Sequence, residues 1–254
     1  MPSPFASEKV RWLSTIQFRS GAGGGTNGYC VEEALNCALG LPVSDKCPNC
    51  VDPMLHGAGI RVNDSWVWRD PDLSEAQQDA ARTDTLMPFL LAQPNTRTTD
   101  ATVPRERRRL VVDFAVHVAV PAWMRVAGLE QEAVACEALP SWSPETMSVI
   151  RTQMRTSRAA ADAAADAVAA AAAAAAADAA ADAVAYAAAV AYAAAAADAV
   201  AYAVAAAAAD AAADAAADAW RKTNRPLATR LLKEYVRVLI GACAVGQAPQ
   251  EPTP

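Results

Sequence analysis

Aromatic residues make up only 6% of this 254-residue chain, so large core side chains are scarce. There are two histidines, His56 and His117, which leaves little material for imidazole-based catalysis or zinc ligation. Basic residues are outnumbered, 22 Lys and Arg against 28 Asp and Glu, giving a net charge of −6. That balance argues against a nucleic-acid partner, which requires positive surface to displace counterions. No apolar run follows a basic start, so no secretory signal is expected. The six cysteines are then expected as reduced thiols in the cytoplasm of a bacterial host. No segment reads as a strand.

The most uniform part of the chain also lacks the most. From Ala159 to Ala219 there is no Gly, Pro or Cys, and every odd-numbered position is alanine. The even positions hold only Ala, Asp, Val or Tyr, with eight Asp. Alternation has the period of a strand, but alanine is depleted in strands and is the strongest helix former. Asp residues at these intervals are too costly for a bilayer, so no membrane partner is expected. A single helix from Ser143 to Lys222 would be about 120 Å long.

Two regularities compete within the tract. On a helical wheel Val168, Tyr186, Val190 and Val204 share an Asp-free sector. Against this, Asp166, Asp182, Asp198 and Asp214 recur at sixteen-residue spacing, a repeat that does not hold one face of a straight helix. Stacked short helices with Asp N-caps would satisfy it. Helices faced with alanine approach one another closely, which makes packing or self-association the favoured role. An acidic nucleic-acid mimic fits less well, because the Asp residues spread over more than half of the wheel. An ice-binding helix would need a regular Thr row, which is missing.

Outside the tract the chain reads as a series of short helices. The stretch Phe5–Phe18 is amphipathic, and five glycines follow in Gly21–Gly28. A helix is expected over Cys30–Leu39, with Thr26 or Asn27 near its start and Gly40 as its stop. Asp52-Pro53 opens another toward Val62, and Asp64–Leu73 reads as a loop. Ser74 opens a helix through Ala81, and Thr85–Leu91 a separate turn. Pro104 leads a helix to about Val118, whose Arg105, Arg107, Arg108 and Arg109 read as a solvated basic face. Pro121 marks a kink or a new start and Gly128 a stop, and Glu130–Leu139 is helical. Ser143-Pro144-Glu145 is a capping signal. Asn224-Arg225-Pro226 ends or sharply bends the preceding helix. Leu227, Leu231, Tyr235 and Val238/Leu239 then form one apolar face ending at Gly241, before a Pro-rich tail from Gln247.

The expected architecture is therefore all-α. Residues 1–142 form a compact N-terminal helical domain with a Cys-containing loop. Residues 143–222 form an Ala-rich helical segment, and 223–254 a C-terminal amphipathic helix and a disordered tail.

Chemistry concentrates in residues 28–55. Cys30, Cys37, Cys47 and Cys50 could supply four thiolates, with Cys47-Pro48-Asn49-Cys50 a C-x-x-C. Cys30 and Cys37 lie nearly two turns apart, however, too far along the axis for a compact zinc pair. No metal and no cofactor is expected. Cys30 follows a glycine loop at a helix N-terminus, where a thiol pKa falls and backbone N–H groups can hold an oxyanion. This makes Cys30 the candidate nucleophile of a cysteine-dependent hydrolase or transferase, the alternative to a non-enzymatic reading. Glu32 and Glu33 read as dipole-stabilising acids and Asp45 as a turn residue. The glycine loop lacks a following Lys-Ser/Thr and is not a P-loop.

Gly28-Tyr29-Cys30-Val31-Glu32-Glu33-Ala34, with Gly40, Pro42, Ser44-Asp45, Cys50 and Pro53, resembles a motif of Ala-rich proteins from bacteriophages and bacteria. Those carry G-x-C-V-x-E-A followed by Ser-Asp-His-Pro-x-Cys, and a Pro-Ala-Trp-Leu-Arg-Leu-Ala-Gly-Leu-like stretch matching Pro121–Leu129 here. The resemblance implies Cys30, Glu33, Asp45 and Cys50 as the motif, or binding, positions, and supplies no activity. Lys46 stands where the pattern has His, and Cys37 and Cys47 are additional. Together these readings give a binding or interaction protein, such as a phage accessory protein acting on a host system. Its partner would be another protein or a second copy, with room for a small-molecule ligand.

Overall fold

The computed structural model describes residues 5, 7–21, 28–167 and 214–247. It is all-α: among the described residues there is no strand, only an isolated bridge between Phe18 and Tyr29. No helix among them is long and apolar enough to cross a membrane. The chain divides into two compact units, residues 1–107 with 232–254, and residues 108–231.

The first unit contains α1 (Ser7–Leu13), α2 (Val31–Ala38), α3 (Pro53–Asn63), a 3-10 turn (Trp66–Trp68) and α4 (Glu75–Ala92). It also takes the start of α5 (Thr102–Phe114) and the end of α9 (Asp214–Ala244). α2 is central and packs against α1, α3 and α4. Leu13, Phe18, Val31, Leu35, Leu55, Leu86, Phe89 and Leu90 fill the space between them. Burying a side chain of this size stabilises by roughly 1.5–3 kcal/mol.

Polar ties set the connections. Asn63 Nδ2 donates to the Arg19 carbonyl at 2.7 Å, and its Oδ1 accepts the Val31 N–H at 3.2 Å. Asp79 is buried between two arginines, with Arg82 Nη1 at 2.6 Å and Arg19 Nε at 3.2 Å. Trp68 is buried and donates its indole N–H to the Val62 carbonyl at 2.7 Å, which closes the segment after α3. The expected loop over 64–73 thus contains a 3-10 turn fixed by a tryptophan.

Two expected interruptions are absent. α4 is one helix across the gap read between Ala81 and Thr85, and Pro88 lies inside it. Its start follows the sequence signal, with Ser74 and Gln77 forming a capping box. α9 runs unbroken through Pro226 and past Gly241 to Ala244, beyond both expected stops. Tyr235, Leu239 and Ala242 of its last turns are buried, so the expected apolar face is used.

The second unit contains the rest of α5, a π turn (Ala115–Ala119), α6 (Val120–Val126), α7 (Glu130–Glu137), α8 (Met147–Ala167) and the start of α9. α6 packs on α7, and α7 on α8. Pro121 has no N–H to give, and its ring would collide with a carbonyl one turn back in a regular helix. The π turn widens the backbone just before it, and α6 starts at Val120 with Pro121 in its first turn, the new start that was one of the two expected outcomes. Gly128, at φ +75°, ends α6 as expected. Ser143 Oγ accepts the Thr146 N–H at 3.2 Å, one turn before α8. The Ala-rich tract of 159–219 is helical where it is described, over 159–167 and 214–219; its remainder, 168–213, and the tail over 248–254 lie outside the described residues.

Candidate functional site

The motif of residues 28–55 lies wholly within the first unit, around the N-terminus of α2 and the loop that follows it. Cys30 is the N-cap itself, rather than Thr26 or Asn27. Its Sγ accepts the Glu33 N–H at 3.4 Å, and Glu33 Oε2 accepts the Cys30 N–H at 2.9 Å. This is a capping box in which a thiol takes the usual place of a hydroxyl. Burial pushes the Cys30 thiol up to about 12; the Glu33 backbone N–H opposes this, and the nearby Glu33 and Glu32 charges add smaller upward pushes. An activated nucleophile needs the opposite shift. Here the thiol at the helix N-terminus works as a cap.

The loop after α2 is pinned from inside. Asn36 Nδ2 donates to the carbonyls of Ser44 at 2.6 Å and Lys46 at 2.9 Å, and its own carbonyl accepts the Leu41 N–H at 2.9 Å. Cys47 is half-buried, and its thiol points to the carbonyls of Pro48 and Val51 at 3.7 and 3.6 Å. Burial pushes it up to about 11. The Cys50 carbonyl accepts the Arg97 N–H at 3.1 Å. All six cysteines are free thiols. Among the described residues, no group of three or more His, Cys, Asp or Glu side chains is placed to hold a metal ion.

The motif positions thus separate. Cys30 and Glu33 meet in the cap, Asp45 faces His56, and Cys50 serves the loop backbone through its carbonyl. Two clusters that the motif did not indicate lie behind them.

The first is built on Glu32. Read from sequence as a dipole-stabilising acid in the first turn of α2, it is 0% exposed. Gln93, the C-cap of α4, donates from Nε2 to Glu32 Oε1 at 2.9 Å. Oε2 lies 3.7 Å from His56 Nε2 on α3, and neither atom has a hydrogen-bond partner among the described residues. Burial drives the Glu32 carboxyl up to about 8, against the lowering effect of the Gln93 amide. Burial likewise lowers the His56 pKa, while the Asp45 carboxylate and backbone pull it back up. Gly59, one turn beyond His56, makes room: a Cβ there would lie 2.0 Å from Glu32 Oε1.

The second cluster is built on Arg107. Read from sequence as part of a solvated basic face, Arg107 is 1% exposed and among the largest fully buried side chains. Asp52 caps α3 by accepting the Met54 N–H at 2.9 Å with Oδ1, and its Oδ2 pairs with Arg107 Nη1 at 2.9 Å. The guanidinium also donates to the carbonyls of Thr96, Ala242 and Val245. Thr96 Oγ1 in turn accepts the Asp52 N–H at 2.9 Å. The next residue, Arg108, is half-buried with its guanidinium over the Trp142 ring, so the basic run is not the solvated face it reads as in sequence. Gly59 inside α3 was the available signal for the first cluster, since Glu32 and Phe89 approach that helix closely there.

This arrangement defines an all-α unit with a capped motif helix above a buried polar core. No family model, curated protein or solved structure matches the chain.

Proposed function

We propose that this is a non-enzymatic binding protein that associates with other protein surfaces, including its own. The observation that carries the reading is the loop after α2. Leu41 and Val43 are 43% and 44% exposed on a loop whose backbone is held from within by Asn36. A pre-ordered apolar loop loses little entropy when it docks. The Cys30–Glu33 cap and Asp52 then serve to present this loop rather than to react. The Ala-rich segment supplies a second association element, since small side chains permit close helix approach. The resemblance to phage and bacterial proteins extends the proposal to action on a host system in a bacterial cytoplasm.

Light scattering on the full-length protein over a concentration series tests the reading. An oligomer is expected that deletion of 159–219 converts to a monomer. Leu41→Ser with Val43→Ser should weaken it without changing helicity. A full-length protein that stays monomeric would overturn self-association.

A further inference from the structure

A carboxyl and an imidazole buried together, each with an unpartnered atom facing the other, need an account of their charge. Glu32 Oε2 and His56 Nε2 are 3.7 Å apart in a core where Glu32 accepts only the neutral amide of Gln93. A charged carboxylate so placed would lack the donors it needs, and an imidazolium alone would be similarly exposed to desolvation. We propose that Glu32 and His56 form a buried proton-binding site, holding one proton between Oε2 and Nε2, whose release loosens the loop over residues 40–50.

The surrounding groups are all accounted for. On α2 are Glu33 and the Cys30 thiol, which senses Glu32. From the loop come Asp45, facing His56, and Cys47, which senses Glu32, Arg97, Asp52 and Cys50. Asp52 caps α3 and is paired with Arg107 from α5. From α9, Cys243 senses Arg107, Glu32 and Asp52. Of the two arginines among these, Arg107 is committed to Asp52 and Arg97 is exposed and acts on Cys47, so a proton is what remains to neutralise Glu32.

The loop is tied to both partners of the site. Asn36 of α2 holds the carbonyls of Ser44 and Lys46, and His56 of α3 faces Asp45. Loss of the proton leaves a buried carboxylate that must be hydrated. Hydration requires α2 and α3 to separate slightly, and the loop anchored to both loosens with them. The sign follows from linkage. A carboxyl raised from 4.5 to about 8 stabilises the fold fully below 4.5 and loses that contribution as pH rises through about 8. His56, lowered from 6.5, opposes this only below pH 6.5. Between about 6.5 and 8, folding should therefore take up one proton, seen as a tenfold fall in the folding constant per pH unit.

The test uses the full chain with ¹³C-labelled glutamate. Infrared spectra at neutral pH should show a protonated carboxyl band that disappears near pH 8 and is absent in Glu32→Gln. Amide exchange over 41–50, corrected for intrinsic rate, should rise over the same range in the wild type and not in Glu32→Gln. His56→Gln should move the midpoint of the band. If Glu32→Gln does not fold, the wild-type band and exchange decide alone. A Glu32 that titrates below pH 6, a midpoint indifferent to His56, or a loop whose protection does not follow the band would each overturn the proposal. None of these readouts depends on what the loop binds.

Discussion

Arg107 Nη1 meets Asp52 Oδ2 at 2.9 Å inside the first unit, with the arginine 1% exposed. The pair joins the cap of α3 to the carbonyls that end α9. Its value lies in what its loss would strand. Removing one partner leaves the other charge buried alone, a cost of about 3–5 kcal/mol, whereas replacing both by apolar groups is often near neutral. Arg107→Ala should therefore lower stability by about that amount in urea denaturation. Arg107→Met combined with Asp52→Leu should recover part of the loss. Equal losses in the single and double variants would show that the pair is not the source.

Cys30 is expected to behave as a cap. Cys30→Ala should cost about 1 kcal/mol, and Cys30→Ser should be tolerated better, since a hydroxyl accepts the same N–H. With its thiol pushed up to about 12, native Cys30 should resist iodoacetamide at neutral pH and label only on unfolding. Selective labelling of Cys30 in the native protein, read by mass spectrometry, would favour the hydrolase reading over the cap.

Gly59→Ala tests the closeness of α3 to Glu32. The added methyl would sit 2.0 Å from Glu32 Oε1 and 2.9 Å from the Phe89 ring. Overpacking of this kind costs about 1–3 kcal/mol. Paired with Glu32→Ala the two losses should be clearly non-additive, because the obstructing atom is gone. Additive losses in a thermal-denaturation cycle would place the strain elsewhere.

Pro226 is exposed inside a continuous helix, where it removes a backbone donor and crowds the preceding turn. Pro226→Ala should raise stability by about 1–3 kcal/mol. Unchanged or reduced stability in chemical denaturation would mean the helix does not run through this position.

Local signals carried much of the architecture. The caps at Asp52 and Ser74 and the stops at Gly40 and Gly128 were legible because each is fixed by neighbours within a few residues. Tertiary context overrode the stop expected at Pro226, whereas Pro121 does open a new helix, as its sequence signal allowed. The buried polar core was not legible for the same kind of reason. Glu32 and Glu33 are adjacent and chemically alike, yet one closes a cap and the other faces His56. Arg107 sits between Glu106 and Arg108 in a run that looks solvated throughout. Which of such neighbours turns inward depends on partners 61 residues away for Glu32 and 135 for Arg107.

That last separation has a consequence for biogenesis. The first unit closes only when the end of α9 reaches the Arg107 guanidinium, so synthesis must pass Ala242 before the motif of residues 28–55 is complete. Trimming a few residues around Ala242–Val245 should harm that motif more than removing whole repeats of the alanine tract. The tract belongs to the other unit, so a change in the number of its repeats leaves the residues that close the first unit unchanged in identity and count.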